Sequence, residues 1–202
     1  MMYSVLLGDL MSQNVKNMLK EMISNAPVVR LGNYGYLAIP ITNGINLEPH
    51  VIDNVADSVL ERANRRFNKI LVPESPAVPI ATAISLKAQR RLVIARKLQL
   101  NLTNEIVAPY KTGFERGTYF INGLANRDSV LLFDDVVSTG GTMIALIRGL
   151  AGANVTIQDV VAVIDRNGGS ERVEHATGYK VKSLIKIKYK QHQPEILNFS
   201  EK

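Results

Sequence analysis

Residues 130–150, VLLFDDVVSTGGTMIALIRGL, constrain what this chain can fold into more than any other stretch. Val130, Leu131, Leu132 and Phe133 are apolar in succession. Such a run leaves neither strand face for water and predicts a parallel strand buried on both sides. Two carboxylates, Asp134 and Asp135, then stand at the carboxyl end, where open parallel sheets bind their ligands. Two apolar residues later comes Ser138-Thr139-Gly140-Gly141-Thr142, and an amphipathic helix follows. Glycine lets backbone N–H groups approach an anion closely. The start of a helix adds unpaired N–H donors and the positive end of its dipole, both suited to phosphate. The carboxylates only accept hydrogen bonds, so they suit sugar hydroxyls or a Mg²⁺ ion instead. The pattern therefore predicts a loop that holds a phosphorylated sugar by both ends.

The glycine spacing matches neither the dinucleotide fingerprint nor a Walker loop, because Thr142 stands where the latter has Lys. An ordinary strand–turn–helix with acidic capping is the plain alternative. The neighbouring sequence favours a ligand crevice. A helical stretch over residues 49–67 leads into a strand at Lys69-Ile70-Leu71-Val72, and Pro73-Glu74-Ser75-Pro76-Ala77 turns into a helix over residues 78–87. Leu92-Val93-Ile94-Ala95 reads as a strand ending in Arg96 and Lys97, residues 118–121 as one arm of a hairpin, and residues 159–164 as a strand ending in Asp165 and Arg166. Alternating strands and helices predict an α/β fold with a mostly parallel sheet flanked by helices, each strand ending in polar residues on one side.

Composition narrows the function classes. With 202 residues and 46% hydrophobic content, the chain is expected to form a single domain with a sizeable core. The absence of Cys excludes disulfides, thiol catalysis and cysteinyl metal sites, and His50, His175 and His192 are too scattered for a metal site. No apolar run approaches the length of a membrane span, and the first ten residues include Asp9 and no basic leader, so a cytoplasmic protein is expected. The net charge of +6 suits a polyphosphate ligand or nucleic acid, but is also ordinary for an enzyme. Residues 181–190 alternate Ile185, Ile187 and Tyr189 with Lys186, Lys188 and Lys190, which predicts a half-exposed edge strand guarded by Lys rather than a nucleic-acid stripe.

Taken whole, the apolar strand, Asp134-Asp135, residues 138–142 and the following helix resemble the phosphoribosyl diphosphate signature of the type I phosphoribosyltransferases, purine branch. Around this signature the chain looks like archaeal-type adenine and hypoxanthine enzymes. The resemblance implies a small hood over the base, matched by residues 26–47, and a flexible catalytic loop, matched by residues 110–117. It implies that Asp134 and Asp135 hold the ribose hydroxyls while Ser138, Thr139, Gly140, Gly141 and Thr142 surround the 5′-phosphate. Glu74, Ser75, Pro76 and Ala77 match the loop that grips the diphosphate, although relatives often carry Arg-Gly where this chain has Ser75 and Pro76. Arg96 and Lys97 match a cationic pair beside the departing diphosphate, with solvated surface charge as the plain alternative. Lys111 and Arg116, from the flexible loop, are expected to join Asp135 as catalytic groups; a plain hairpin turn explains that segment too.

Such chemistry needs orientation, charge neutralisation and exclusion of water rather than a covalent nucleophile. Mg²⁺ is the implied cofactor, held mainly by substrate, with no firm protein ligand set. The implied partners are phosphoribosyl diphosphate, a purine base and a second copy of the chain. Residues 160–164 with Asp165, Arg166 and Asn167 are expected to line the base pocket, Ile164 packing on the ring and Asp165 or backbone groups reading its edge, unless Asp165 and Asn167 only build the next turn. In the 6-oxopurine branch an Asp commonly occupies the position of Ser138; this chain has no carboxylate there, which favours adenine and AMP formation. The alternatives are a hypoxanthine/guanine enzyme, or a regulator that senses phosphoribosyl diphosphate and binds nucleic acid.

Overall fold

The computed structural model describes residues 2–31, 34–113, 115–190 and 193–199. The chain begins with α1 (Met2–Ser24), in which Val15, Leu19 and Ile23 recur every four residues and form a buried stripe. A short antiparallel hairpin, β1 (Val28–Leu31) and β2 (Tyr34–Leu37), follows, then one turn of helix, α2 (Pro40–Asn43). Next come α3 (Pro49–Arg62), β3 (Lys69–Pro73), α4 (Val78–Ala88) and β4 (Arg91–Ala95). A second antiparallel hairpin joins β5 (Ile106–Lys111) to β6 (Arg116–Ile121). The chain then forms β7 (Ser129–Val137), α5 (Gly141–Gly152), β8 (Thr156–Arg166), α6 (Gly169–Thr177), β9 (Val181–Lys190) and β10 (Gln193–Phe199).

The central sheet has the order β10-β9-β8-β7-β3-β4, parallel from β9 to β4 with β10 antiparallel at one edge. Its strands feed two cores by simple alternation. Ile70, Val72, Leu131 and Phe133 face α1, α3 and α4, while Leu71, Val130 and Leu132 face α5 and the β5–β6 hairpin. All seven are fully buried, and each is worth roughly 1.5–3 kcal/mol of transfer free energy. This two-sided burial is why the strand sequence is uniformly apolar. The expected mostly parallel sheet flanked by helices is thus the observed architecture.

Three local expectations change. The strand through residues 130–133 does not stop at the carboxylates but continues as β7 to Val137, because Asp134 and Val136 pair with Ala162 and Ile164 of β8. Helix α3 ends at Arg62 rather than at residue 67: Ala63 is extended, the Asn64 N–H donates to Asp159 Oδ2 (2.8 Å), and Phe67 turns into the core. β9 is not an edge strand, since β10 pairs along it. The lysines at 182 and 186 have intramolecular partners, with Lys182 Nζ donating to Asp159 Oδ2 (2.6 Å) and Lys186 Nζ lying 3.9 Å from Asp165.

The chain runs from β3 outward to β4, then crosses back to place β7 on the other side of β3. Pairing between β3 and β7 ends at Leu71 and Leu132, although both strands run on. The crevice left between their carboxyl ends is the switch point at which open α/β sheets bind ligands.

Candidate functional site

A cavity of about 230 Å³ lies at that crevice, lined by the ends of β3, β7 and β8, the loop after β7, and the β5–β6 hairpin. Asp134 and Asp135 form its acidic wall and are 7% and 4% exposed. Burial pushes the Asp134 carboxyl up to about 6, and it accepts the Asp135 N–H at 2.9 Å. Burial also pushes Asp135 well above the usual carboxylate range, with the adjacent Asp134 charge adding to the shift. Asp135 Oδ2 is buried with no hydrogen-bond partner among the described residues. A buried acceptor left unmatched costs free energy until a ligand supplies a donor or a cation.

The loop beneath is shaped for close approach. Gly140 takes the left-handed conformation (φ +80°) that glycine adopts without strain, and it begins α5. The first turn of that helix holds no acidic residue, and the Gly141 N–H reaches only the Thr139 hydroxyl (3.4 Å), so no carboxylate claims the donors at its start. Ser138 is braced from α6 and β8: its hydroxyl accepts from Arg166 Nε (3.0 Å) and its carbonyl from Arg172. Gly169 is packed beneath, and a Cβ there would lie 2.6 Å from the Ser138 carbonyl oxygen.

The opposite wall is made by the hairpin and the strand ends. The Arg96 and Phe120 backbones exchange two hydrogen bonds (2.9 and 2.7 Å), which ties the hairpin to the end of β4. Glu74 Oε1 accepts the Lys97 N–H (2.9 Å), and the Glu74–Ser75 peptide is cis. Lys97 Nζ is gripped by both oxygens of Glu115 at 2.9 Å, and this bond holds the Glu115 carboxyl below the usual carboxylate range. Tyr119 is 4% exposed, and burial together with the nearby Asp134 raises its phenol pKa, so it stays a neutral hydroxyl.

The fold therefore brings together Asp134, Asp135, residues 138–142, Glu74, Pro76 and Lys97 around one cavity. Other expected residues lie elsewhere. Lys111 and Arg116 face each other across the hairpin, exposed and outside the lining, because Tyr110 and Tyr119 take the inward face. Ser75 and the fully buried Ala77 are not in the lining, and Arg96 projects to solvent with Nε 4.0 Å from Glu74. Ile164 is a core residue. Asp165 accepts the Ser170 N–H (3.3 Å) at the start of α6 instead of entering the cavity. Phe114 and His192 lie outside the described residues.

Arg166, expected at the end of its strand beside the ligand, is in the lining, and the structure adds residues that the sequence did not single out: Thr42 from α2, and Tyr119 and Glu115 from the hairpin. The inward face of the hairpin arm was readable for Tyr119, but that the hairpin folds over β7 was not. Among the described residues, no cluster of three or more His, Asp or Glu is placed to hold a metal by itself, and no helix is long and apolar enough to cross a membrane.

Comparison with known proteins gives a consistent family. Residues 41–198 match the family model described as phosphoribosyl transferase domain. A hypoxanthine/guanine phosphoribosyltransferase of Methanococcus vannielii is 38% identical over 91% of this chain and 100% of its own length. One of the same name from Methanobacterium paludis is 44% identical over 84% and 90%. Among solved structures, an adenine phosphoribosyltransferase of Rhodothermus marinus superposes with a TM-score of 0.70 at 18% identity, covering 86% of this chain and 99% of that one.

Proposed function

Because the chain belongs to the phosphoribosyl transferase domain family, we propose that it transfers the 5-phosphoribosyl group of phosphoribosyl diphosphate to a purine, with hypoxanthine or guanine as the preferred base. The observation that carries the transfer is the pairing of two buried carboxylates with a helix start that no carboxylate claims, around one cavity. One end accepts hydroxyl donors and the other donates to phosphate, as a ribose 5-phosphate requires.

In this reading the Asp134 and Asp135 carboxylates accept from the ribose hydroxyls, and the N–H groups of residues 138–142 hold the 5′-phosphate. The C1′–O bond breaks with its electron pair leaving on diphosphate, the bond from purine N9 to C1′ forms, and the N9–H bond breaks with its proton passing to the departing diphosphate. Lys97 supplies positive charge for the leaving group once it is released from Glu115. The unpartnered Asp135 Oδ2 fits a cation that arrives with the substrate. Mg²⁺, when bound, neutralises diphosphate charge. The β1–β2 hairpin and α2, through Thr42, serve as the cover over the base, and Thr112, Gly113 and Glu115 of the second hairpin exclude water from above. Exposed Leu98, Leu100, Leu102 and Val107 beside the hairpin support association with a second copy of the chain.

The base preference rests on Arg166. It lines the cavity and has only donors to offer. A 6-oxopurine presents the acceptors O6 and N7 along one edge, the arrangement a guanidinium reads in guanine, whereas adenine presents an amino donor at position 6. The names of the archaeal relatives support the same base. Adenine is the second reading, favoured by the small hydroxyl of Ser138. Incubation of the purified protein with phosphoribosyl diphosphate, Mg²⁺ and each base in turn, with chromatographic detection of mononucleotide, tests both. Diphosphate release without any mononucleotide contradicts the transfer.

A further inference from the structure

At the end of the sheet opposite the cavity, the loop between α3 and β3, the turn between α4 and β4, and Asp128 before β7 line a second, open cleft of about 470 Å³. That volume falls within the range of small-ligand sites. Five of its nine lining residues are cations, Arg65, Arg66, Lys69, Arg90 and Arg91, against one carboxylate, Asp128. The cleft therefore carries +4 of a chain total of +6.

The carboxylate is already committed. Lys69 Nζ donates to Asp128 Oδ2 at 2.7 Å, with both side chains mostly buried, which leaves four guanidinium groups uncompensated. None of the four has an ion-pair partner among the described residues. Arg65 Nε donates to the Leu60 carbonyl (3.2 Å), and Arg90 Nε reaches across to the Phe67 carbonyl (3.1 Å). The Arg66 and Arg91 side chains make no hydrogen bond among the described residues. Four like charges in one concavity repel unless an anion lies between them.

The frame around them is fixed. Lys69 and Arg91 are register partners on β3 and β4, so two of the cations lie side by side by sheet geometry. Asn68 pins the loop to the sheet, accepting the Ser129 N–H (3.0 Å) and donating to Asp128 Oδ1 (3.2 Å), while Arg90 bridges the two loops. A preset fork of guanidinium groups matches phosphate oxygens in a bidentate way that lysines do not. The absence of an exposed aromatic among the lining residues favours a small ligand over a nucleic-acid strand, which needs stacking faces.

We propose that this cleft is a second, non-catalytic binding site for the polyphosphate group of a small molecule, either a nucleoside triphosphate or inorganic polyphosphate. It uses none of the residues placed at the transfer cavity, so it stands or falls separately from the proposed reaction.

The test is calorimetric titration of inorganic tripolyphosphate into the full chain, with backbone amide shifts mapped by NMR. Shifts at Asn68, Lys69 and residues 89–91 are expected. The double variant Arg66→Glu/Arg91→Glu should weaken this binding about ten-fold or more at low salt while leaving transfer activity unchanged. The neutral pair Arg66→Gln/Arg91→Gln should lose part of the affinity, which guards against a fold defect in the charge-reversed protein. Equal affinity for GTP and tripolyphosphate supports a site that reads phosphate alone; tighter GTP binding that the double variant abolishes supports a nucleotide site. Unchanged affinity in both variants, shifts confined to residues 134–142, or tighter binding of a duplex oligonucleotide than of tripolyphosphate overturns the proposal.

Discussion

Gly141 is seated against the backbone of Lys111: a Cβ at Gly141 would overlap the Lys111 carbonyl oxygen and lie 2.8 Å from its carbonyl carbon. The first residue of α5 and the last of β5 are thus in contact, so the phosphate loop is packed directly against the hairpin. Gly141→Ala must push the hairpin away. The expected result is a loss of roughly 1–3 kcal/mol in urea unfolding, together with most of the activity. Wild-type stability and turnover would show that the hairpin does not rest on the loop.

The buried acidic pair links pH to stability. In the folded protein Asp134 titrates at about 6 rather than 3.8, so the folded state holds a proton that the unfolded state has released between those values. Its stabilising contribution is complete below the lower value and is lost as pH rises through the upper one. Asp134→Asn removes this dependence. Relative to that variant, the ligand-free protein should lose roughly 1–3 kcal/mol between pH 4 and pH 7, measured by urea unfolding across the range. Parallel profiles for the two proteins would contradict it.

Asp135→Asn removes one charged acceptor for a ribose hydroxyl. A fall of roughly ten- to hundred-fold in kcat/KM for phosphoribosyl diphosphate is expected. Unchanged kinetics would remove the ribose role from Asp135.

Lys97 is held by Glu115 in the ligand-free protein. Glu115→Gln frees that ammonium, and product inhibition by diphosphate should tighten severalfold, whereas Lys97→Ala should weaken it. These opposite directions distinguish a cation that receives the leaving group from one that only anchors the hairpin. Identical inhibition constants in both variants would assign Lys97 to structure alone.

Much of this arrangement is local in sequence and was therefore legible. The run from Val130 to Phe133, the acidic pair and the Gly140-Gly141 turn are contiguous, so their physical chemistry specifies strand, acceptor wall and helix start without knowledge of the rest. What escaped depends on pairing between distant segments. Asp134 and Asp135 looked like the end of a strand, but β8 extends the ladder past them. β9 read as an edge because residues 193–199, with Pro194 and Glu195 near their start, carry little strand pattern, yet they pair along it. Lys111 and Arg116 were placed at the site by their position in a loop, but cross-strand alternation gives the inward face to Tyr110 and Tyr119. Arg166, by contrast, was legible at the polar end of an apolar run, and β8 carries it into the cavity lining.

The base is where the residues themselves divide, with the donors of Arg166 favouring a 6-oxopurine and the small Ser138 favouring adenine. Arg166→Met should lower kcat/KM for hypoxanthine and guanine by roughly ten-fold or more while affecting adenine far less, since only the former present O6 beside N7 as a pair of acceptors to a guanidinium. Equal losses for all three bases would confine Arg166 to bracing Ser138.

The most direct measurement is kcat/KM for hypoxanthine, guanine and adenine with the wild-type protein at saturating phosphoribosyl diphosphate and Mg²⁺. IMP and GMP formed well ahead of AMP is the predicted result. Efficient AMP formation with little IMP or GMP would contradict the base assignment, and no mononucleotide from any of the three would contradict the purine transfer itself.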